Sequence, residues 1–494
     1  MEHSQQKKAS TNKSYKSPAD VPADRNANNY HNFDSYSIQK VLMHLKRTAP
    51  GVDNIPCWFL KKISAHLSSI LAYIFDRLIM ENVVPNSWKA SIITPVPKIP
   101  NPMELSNFRP ISVTPILCRI FEKVLVSKNI LLNLDEQLLN DQFAFRPTCS
   151  TTAANIAIMH HISEMFDKGA EYVRCILIDF SKAFDIVPHA ILIDKYMSLT
   201  AVPNVVISWL SKYLHCRSHV TKFKGILSSS AFINSSLVQG SGIGPISFSI
   251  FISDLKTLSN INKTDKYADD LTLLSPSFTD VDVSIEFQNI CKWADKNGMV
   301  INESKTKEII FYNHAKPPSN LVCLPNIERV KQVKLLGIEY GEKLTFVYHI
   351  NNLLNVVNQR LYLVNSLRKS GLSTEALNVV FNALIVSKLT YCVPSWHTHV
   401  SVTDAHRIDK FLEKAFKWQC CQNLLKWDTI VENIDNKLFK QIVVNPCHCL
   451  TQLLPLKKVT GYNLRQKSQY VLPSISKDIF KHSFINHMLF LDCY

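Results

Sequence analysis

Apolar residues recur every three to four positions from about Ser37, at Ile38, Val41, Leu42 and Leu45, which predicts an amphipathic helix. "TAPGVDNIP" breaks the pattern at Pro50-Gly51, and a second helical stretch runs from about Cys57 to Met80. Residues 88–113, "WKASIITPVPKIPNPMELSNFRPISV", give short β-like runs punctuated by prolines, and helical spacing returns from Ile116 to Leu139. "EYVRCILIDF" (171–180) is a continuous apolar run ending in Asp179, the signature of a buried strand. "VPHAILIDKYMSL" predicts a helix opened by Pro188. Alternation from Ser218 to Val238 predicts a hairpin leading into "QGSGIGPISFSIFISDL". "KTDKYADDLTLLS" (263–275) then reads as a second buried strand, followed by a helix at about 281–297 and two strands, "KEIIFYN" and "VKLLGIEY". From His349 a 3.6-residue rhythm holds through Ile350, Leu353, Leu354, Val357, Leu361, Val364 and Leu367 until Gly371 stops it. Ser373 can cap the next helix, which carries Leu377, Val380, Phe381 and Leu384, and the last seventy or so residues read as basic and irregular. Strands and helices in this order predict an α+β fold rather than a βαβ series.

With 494 residues the chain is too long for one compact core and suits two or three domains. Its net charge of +15 fits a polyanionic partner such as nucleic acid, although charge alone fits any basic soluble protein as well. The thirteen cysteines follow no framework of spacings. Cys57, Cys118, Cys149, Cys175 and Cys216 mostly sit in apolar surroundings, as reduced thiols do in a reducing compartment. The start lacks the apolar core of a signal peptide and no apolar run reads as long enough for a bilayer, so the expectation is an intracellular, soluble protein without a membrane partner, nucleus or cytoplasm unresolved.

Within the second strand pattern two carboxylates, Asp269 and Asp270, stand among apolar residues, where lost hydration costs several kcal/mol without compensation. Magnesium would supply it, since carboxylates gathered on strand ends bind it while it neutralises them. Neighbouring strand residues face opposite sides, so a third carboxylate must converge, and Asp179 at the end of its own apolar strand is the candidate. Three carboxylates around two ions suit in-line phosphoryl transfer. An aspartate pair in isolation more often lies in a turn or caps a helix. The group Cys420, Cys421, Cys447, His448 and Cys449 lacks zinc-ligand spacing, and zinc is rejected as the leading reading.

Taken in order, "NFRPISV", "QFAFRPTCSTTAA", "IDFSKAFDIVPH", "VQGSGIGPISFSIFISDL", "YADD", "GMVINESKTKEIIF" and "VKLLGIEY" resemble the successive blocks of a reverse transcriptase, most closely those of non-LTR (LINE-type) retrotransposons. The resemblance is strong over about residues 35–345 and weaker to about 420. It implies a right-hand polymerase: a disordered polar tail at 1–34, fingers and a palm of antiparallel sheet with helices at 35–345, a helical thumb at 346–420, and a basic region of unknown role at 421–494. The implied activity is RNA-directed DNA polymerisation, adding deoxynucleotides to a primer 3′-hydroxyl with two Mg2+ ions, or Mn2+ in their place. The rivals are a catalytically inactive nucleic-acid-binding remnant of such an element and a two-metal nuclease.

Carried over position by position, the resemblance implies that Asp179, Asp269, Asp270 and the backbone carbonyl of Phe180 bind metal. Tyr267 opens the Y-x-D-D turn. Phe184 lies beneath the incoming sugar and excludes a 2′-hydroxyl, and Gln239 and Gly240 lie beside the nascent base pair. Lys98 and Arg109 meet the triphosphate, Arg146 meets template or nucleotide, and Lys305 is the general acid. Arg360, Arg368, Lys369 and Lys388 would grip the template–primer backbone. The partners implied are template RNA, a DNA primer and deoxynucleoside triphosphates. Ala144 stands where the family often has glycine. About thirty-five residues precede the polymerase-like region, too few for the endonuclease of a full element. The expectation is a fragment or shortened copy, with any endonuclease supplied elsewhere.

Overall fold

The computed structural model describes residues 30–135, 137–314, 317–319, 321–458 and 470–491. Most of the expected polar tail, residues 1–29, lies outside them. Among the described residues the strands are β1 (Ala90–Pro97), β2 (Phe108–Val113), β3 (Tyr172–Ile178), β4 (Arg217–Phe223), β5 (Ile226–Leu227), β6 (Ala231–Ile233), β7 (Lys263–Tyr267), β8 (Asp270–Pro276), β9 (Lys307–Tyr312), β10 (Glu328–Val330), β11 (Gln332–Leu335) and β12 (Ile338–Gly341). The chain divides into two compact units.

The first unit comprises Met1–Asn140, Phe180–Lys256 and Ile290–Val300. Its sheet runs β2-β1-β4-β5, with β6 also on β4. The expected hairpin is therefore only part of the story: β4 pairs β5 and β6 antiparallel and also lies parallel to β1. The stretch predicted as one helix from Cys57 is two, Cys57–Lys62 and Ser64–Met80. Phe33, Phe75, Trp88, Phe121 and Trp209 form an aromatic core, with Phe121 4.6 Å from Trp209 and 5.1 Å from both Phe33 and Phe75. Such ring pairs contribute about 0.5–1.5 kcal/mol each beyond burial.

The second unit comprises Asp141–Asp179, Thr257–Asn289 and Ile301–Tyr494, and is built on a sheet of order β10-β9-β3-β8-β7. β3 is central and largely buried, and the charge within its apolar run, Arg174, is met by Glu308 Oε1 at 2.7 Å. The helix Thr151–Asp167, capped by Ser150 Oγ accepting from Ala153 N at 3.1 Å, is buried along most of its length. Its Ile158, Met159 and Ile162 join the core beneath the sheet, and its Ala153, Ile156 and Ala157 join a second core with Phe439, Ile442 and Ile485.

Three expectations change. "VKLLGIEY" is a hairpin, β11–β12, turning on Leu336 (φ 46°) and Gly337 (φ 90°), the pair of positive φ values that a two-residue hairpin turn favours. The C-terminal region is not irregular: helices Trp427–Val444 and Phe484–Leu491 bury Trp427, Val431, Phe439 and Ile442, and Ile485 and Met488. One helical run, Thr374–Ser395, is long and apolar enough by length and composition to cross a membrane, contrary to the sequence reading; its Leu377, Phe381, Ile385 and Leu389 are buried in the unit's core. Among the thiols, Cys57, Cys118 and Cys175 are buried as expected, whereas Cys216 is exposed.

Candidate active site

In the second unit, the pair Tyr267↔Asp270 closes the β7–β8 hairpin around a two-residue turn. Ala268 takes the left-handed conformation there (φ 56°), so Asp269 sits at the turn and Asp270 is the first residue of β8. The aspartates are thus at a hairpin tip rather than within a strand. The β3–β8 ladder ends at Ile178↔Leu271, and one further step along the same register sets Asp179 opposite Asp270. Directly opposed residues in an antiparallel pair have Cβ atoms about 4.5–5.5 Å apart, and like charges so placed repel. Asp270 records this: although its side chain is solvent-exposed, crowding by surrounding protein, then the charges of Asp269 and Asp179, push its carboxyl up to about 6.

The backbone of Asp179 is fixed on both sides, its carbonyl accepting from Asn302 N at 2.7 Å and its N–H donating to Thr306 Oγ1 at 3.3 Å. Lys305 Nζ lies 3.9 Å from Asp179 Oδ2 with the lysine side chain 70% exposed, a loose surface pair of small energetic weight. Tyr267 is half-buried, its phenol raised chiefly by burial. Arg146 is half-buried too, its Nη1 donating to the Gln142 carbonyl at 3.4 Å.

What holds the turn was not read from the sequence. Gln142 is 1% exposed, and its Oε1 accepts from both Ala144 N (3.0 Å) and Ala268 N (2.9 Å). Beside it, the buried ammonium of Lys266 donates to Asp141 Oδ2 at 2.9 Å, and backbone bonds join Lys266 to Asp141 and Phe143. The aspartate turn is therefore clamped from behind by "DQFA". Gln142→Met keeps the volume and removes the acceptor, orphaning two buried N–H groups at about 1–3 kcal/mol. Amide exchange at Ala268 is expected to accelerate about tenfold or more. An unchanged rate there would mean that the acceptor does not secure the turn.

In the first unit, Phe184 sits in the short helix Ala183–Ile186 and stacks on Phe248 at 4.5 Å, half-buried. Gln239 Nε2 donates to Asp185 Oδ1 at 2.8 Å, and the Gln239 carbonyl accepts from Ser112 N at 2.8 Å, tying the glycine segment to β2. Burial raises the Asp185 carboxyl, against the Gln239 hydrogen bond and the charges of Lys182 and Lys98. Gly240 has φ 120°, and a Cβ there would lie 2.6 Å from the Ser112 carbonyl oxygen, so only glycine fits. Lys98 and Arg109 are exposed on the β1–β2 hairpin, Lys98 Nζ donating to the Ser106 carbonyl at 2.9 Å. Phe180 is 2% exposed, its ring edge-on to Trp293 at 6.2 Å.

Also missed was Glu122, wholly buried in the helix Ile116–Leu125. Its Oε2 accepts from Gly242 N at 2.6 Å, and its Oε1 from Tyr213 Oη at 2.5 Å and Cys118 Sγ at 3.5 Å. Arg217, fully buried over the Tyr213 ring at 4.3 Å, lends the countercharge.

Residues 96–340, just under half of the chain, match the family described as reverse transcriptase (RNA-dependent DNA polymerase). The described residues mix helices with largely antiparallel sheets, the α+β class that the sequence pattern predicted. The chain is 26% identical over 370 residues to the probable RNA-directed DNA polymerase from transposon BS of Drosophila melanogaster, covering 71% of this chain and 40% of that protein. It is 23% identical over 382 residues to the probable RNA-directed DNA polymerase from transposon X-element of the same organism, covering 74% and 41%. The RNA-directed DNA polymerase from mobile element jockey is 26% identical over 321 residues, covering 62% and 35%. The chain thus spans about 40% of the length of the first two relatives. Among solved structures, a Candida albicans telomerase in complex with a telomeric RNA fragment is similar at 12% identity and a TM-score of 0.37, covering 80% of this chain and 75% of that one.

Reverse transcriptases generally work with divalent metal ions. Among the described residues no three His, Cys, Asp or Glu side chains already stand as a ligand set. Asp179, Asp269 and Asp270 nevertheless fit a cation: their donors are hard carboxylate oxygens, and the raised Asp270 marks negative charge that lacks compensation.

Proposed function

We propose that this chain extends the 3′-hydroxyl of a DNA primer with deoxynucleotides on an RNA template, inside the cell. The observation that supports it most is the strand register, which sets Asp179 opposite Asp270 with Asp269 in the adjoining turn. Asp179, Asp269 and Asp270, with the Phe180 carbonyl, would hold two magnesium ions, or manganese in their place. Metal bound there would supply activation of the attacking hydroxyl and stabilisation of the leaving pyrophosphate.

The remaining roles belong to this chain's own side chains. Arg109 and Lys98 present cations to the triphosphate, the guanidinium suited to bidentate phosphate contact. Gln239, oriented by Asp185, faces the nascent base pair, and Gly240 lets the backbone approach it. Arg146 contacts template or nucleotide. Lys305, exposed and near Asp179, returns a proton to the departing pyrophosphate. Phe184 lies flat against Phe248, which stiffens the ring as a wall against a 2′-hydroxyl.

Primer extension on an RNA template with magnesium tests the reading directly. Template binding without extension under any divalent ion would instead make the chain an inactive binding remnant. Phe184→Ala is expected to raise ribonucleotide over deoxynucleotide incorporation about tenfold or more, the scale of 1.4 kcal/mol of lost discrimination. Unaltered sugar discrimination in single-nucleotide competition would remove Phe184 from this role.

A further inference from the structure

Within the second unit, the C-terminal residues Cys447–Leu450 reach the segment that follows Arg146. Cys449 N donates to Thr148 Oγ1 at 3.0 Å, and Cys449 Sγ lies 3.4 Å from the Thr148 carbonyl oxygen. Thr148 itself is held at φ 65°, an uncommon conformation for a β-branched residue. The next residue, Cys149, donates its N–H to the Arg146 carbonyl at 3.3 Å and has its sulfur 3.7 Å from the Gln142 carbonyl oxygen. The two cysteines adjoin, because Cys449 bonds both the hydroxyl and the carbonyl oxygen of Thr148, the residue before Cys149, although 300 residues separate them in the chain. Cys449 is 9% exposed and Cys149 half-buried, both packed on the core shared by Ala153, Ile442 and Leu450.

We propose that Cys149 and Cys449 are a redox-active dithiol that closes to an intramolecular disulfide on meeting a small-molecule disulfide such as oxidised glutathione. Electrostatics support the geometry. The neighbouring Cys149, with His448 and Thr148, lowers the Cys449 thiol against burial, while the same pairing and burial raise Cys149. A lowered thiol beside a raised one is the combination that favours exchange. Cys421, by contrast, is pushed up to about 11 by burial.

The steps balance. The Cys449 thiolate attacks one sulfur of the reagent, whose S–S bond breaks, and glutathione leaves and takes a proton. Cys149 then loses its proton to solvent and attacks Cys449 in the mixed disulfide. The protein S–S bond forms and the second glutathione leaves, so two electrons pass from protein to reagent. The resulting bond ties the segment bearing Arg146 and Gln142 to the C-terminal helices.

The test treats the reduced full-length chain with oxidised glutathione, digests it without reductant and maps linked peptides by mass spectrometry. The expected product joins the peptides containing 149 and 449, with loss of both thiols, and dithiothreitol reverses it. Cys149→Ser is expected to stop at glutathione on Cys449. Linkage only through the exposed Cys216, Cys323 or Cys447 would overturn the proposal. So would thiol loss from the pair no faster than from the buried Cys118 and Cys175.

Discussion

Asp269→Asn is expected to lower primer extension at least ~1,000-fold while leaving the fold and template binding intact. The size follows from the metal-ligand role proposed for Asp269: metal stabilisation of charge at the reacting phosphate supplies several kcal/mol, and about 4 kcal/mol is a thousandfold in rate. Asparagine keeps the shape and suits a turn, and Asp269 is half-exposed at the hairpin tip, so a stability change beyond about 0.5 kcal/mol is not expected. The loss also differs in kind from that of Gln142→Met, which loosens the turn but leaves every carboxylate in place. The measurement is single-turnover extension with magnesium, alongside filter binding of template–primer and circular dichroism. A variant that extends primer as fast as wild type would remove Asp269 from the chemistry, and with it the two-ion reading of this site.

How much of this could be read beforehand follows from what each element needs. β3 and β8 were legible because both faces are buried, so mostly apolar runs marked them despite Arg174 in β3 and Thr272 and Ser275 in β8. The hairpin tip was not, because Ala268 at φ 56° bends the chain by backbone conformation, and alanine advertises no such turn. The helix Trp427–Val444 was missed although Trp427, Val431 and Phe439 keep helical spacing, since charges of both signs at Asp428, Glu432, Lys437 and Lys440 stand among them. The three aspartates were found because order and spacing among several motifs carried them. Gln142 and Glu122 act through backbone N–H groups over 100 residues away, information no local pattern contains. A partial signal for Glu122 existed: in "RIFEKVL" it shares a helix face with Cys118 and Leu125, where a lone carboxylate needs partners.

Those partners make Glu122→Ala the most destabilising substitution expected in the first unit. The change strands the Tyr213 hydroxyl and the Gly242 N–H and leaves Arg217 buried without its countercharge. Arg217 has little else to turn to, since Nη1 reaches only the Trp88 and Tyr213 carbonyls at 3.3 and 3.4 Å, and Nε and Nη2 find no hydrogen-bond partner. Removing one member of a buried charge pair costs about 3–5 kcal/mol, because the survivor stays buried and uncompensated. The double variant Glu122→Ala/Arg217→Met is expected to recover part of that loss, replacing a stranded cation by an apolar side chain of similar length. Burial raises the Glu122 carboxyl above its ordinary value, so this group favours folding most below the ordinary carboxylate pKa, and the benefit fades as pH rises through the raised one. The loss on Glu122→Ala is therefore expected to be larger at pH 4 than at pH 7, the Arg217 charge being already part of the net rise. Urea unfolding of wild type, single and double variants resolves the terms. A double variant as unstable as the sum of its singles would show that Glu122 and Arg217 are not coupled, and that Glu122 serves Gly242 and Tyr213 alone.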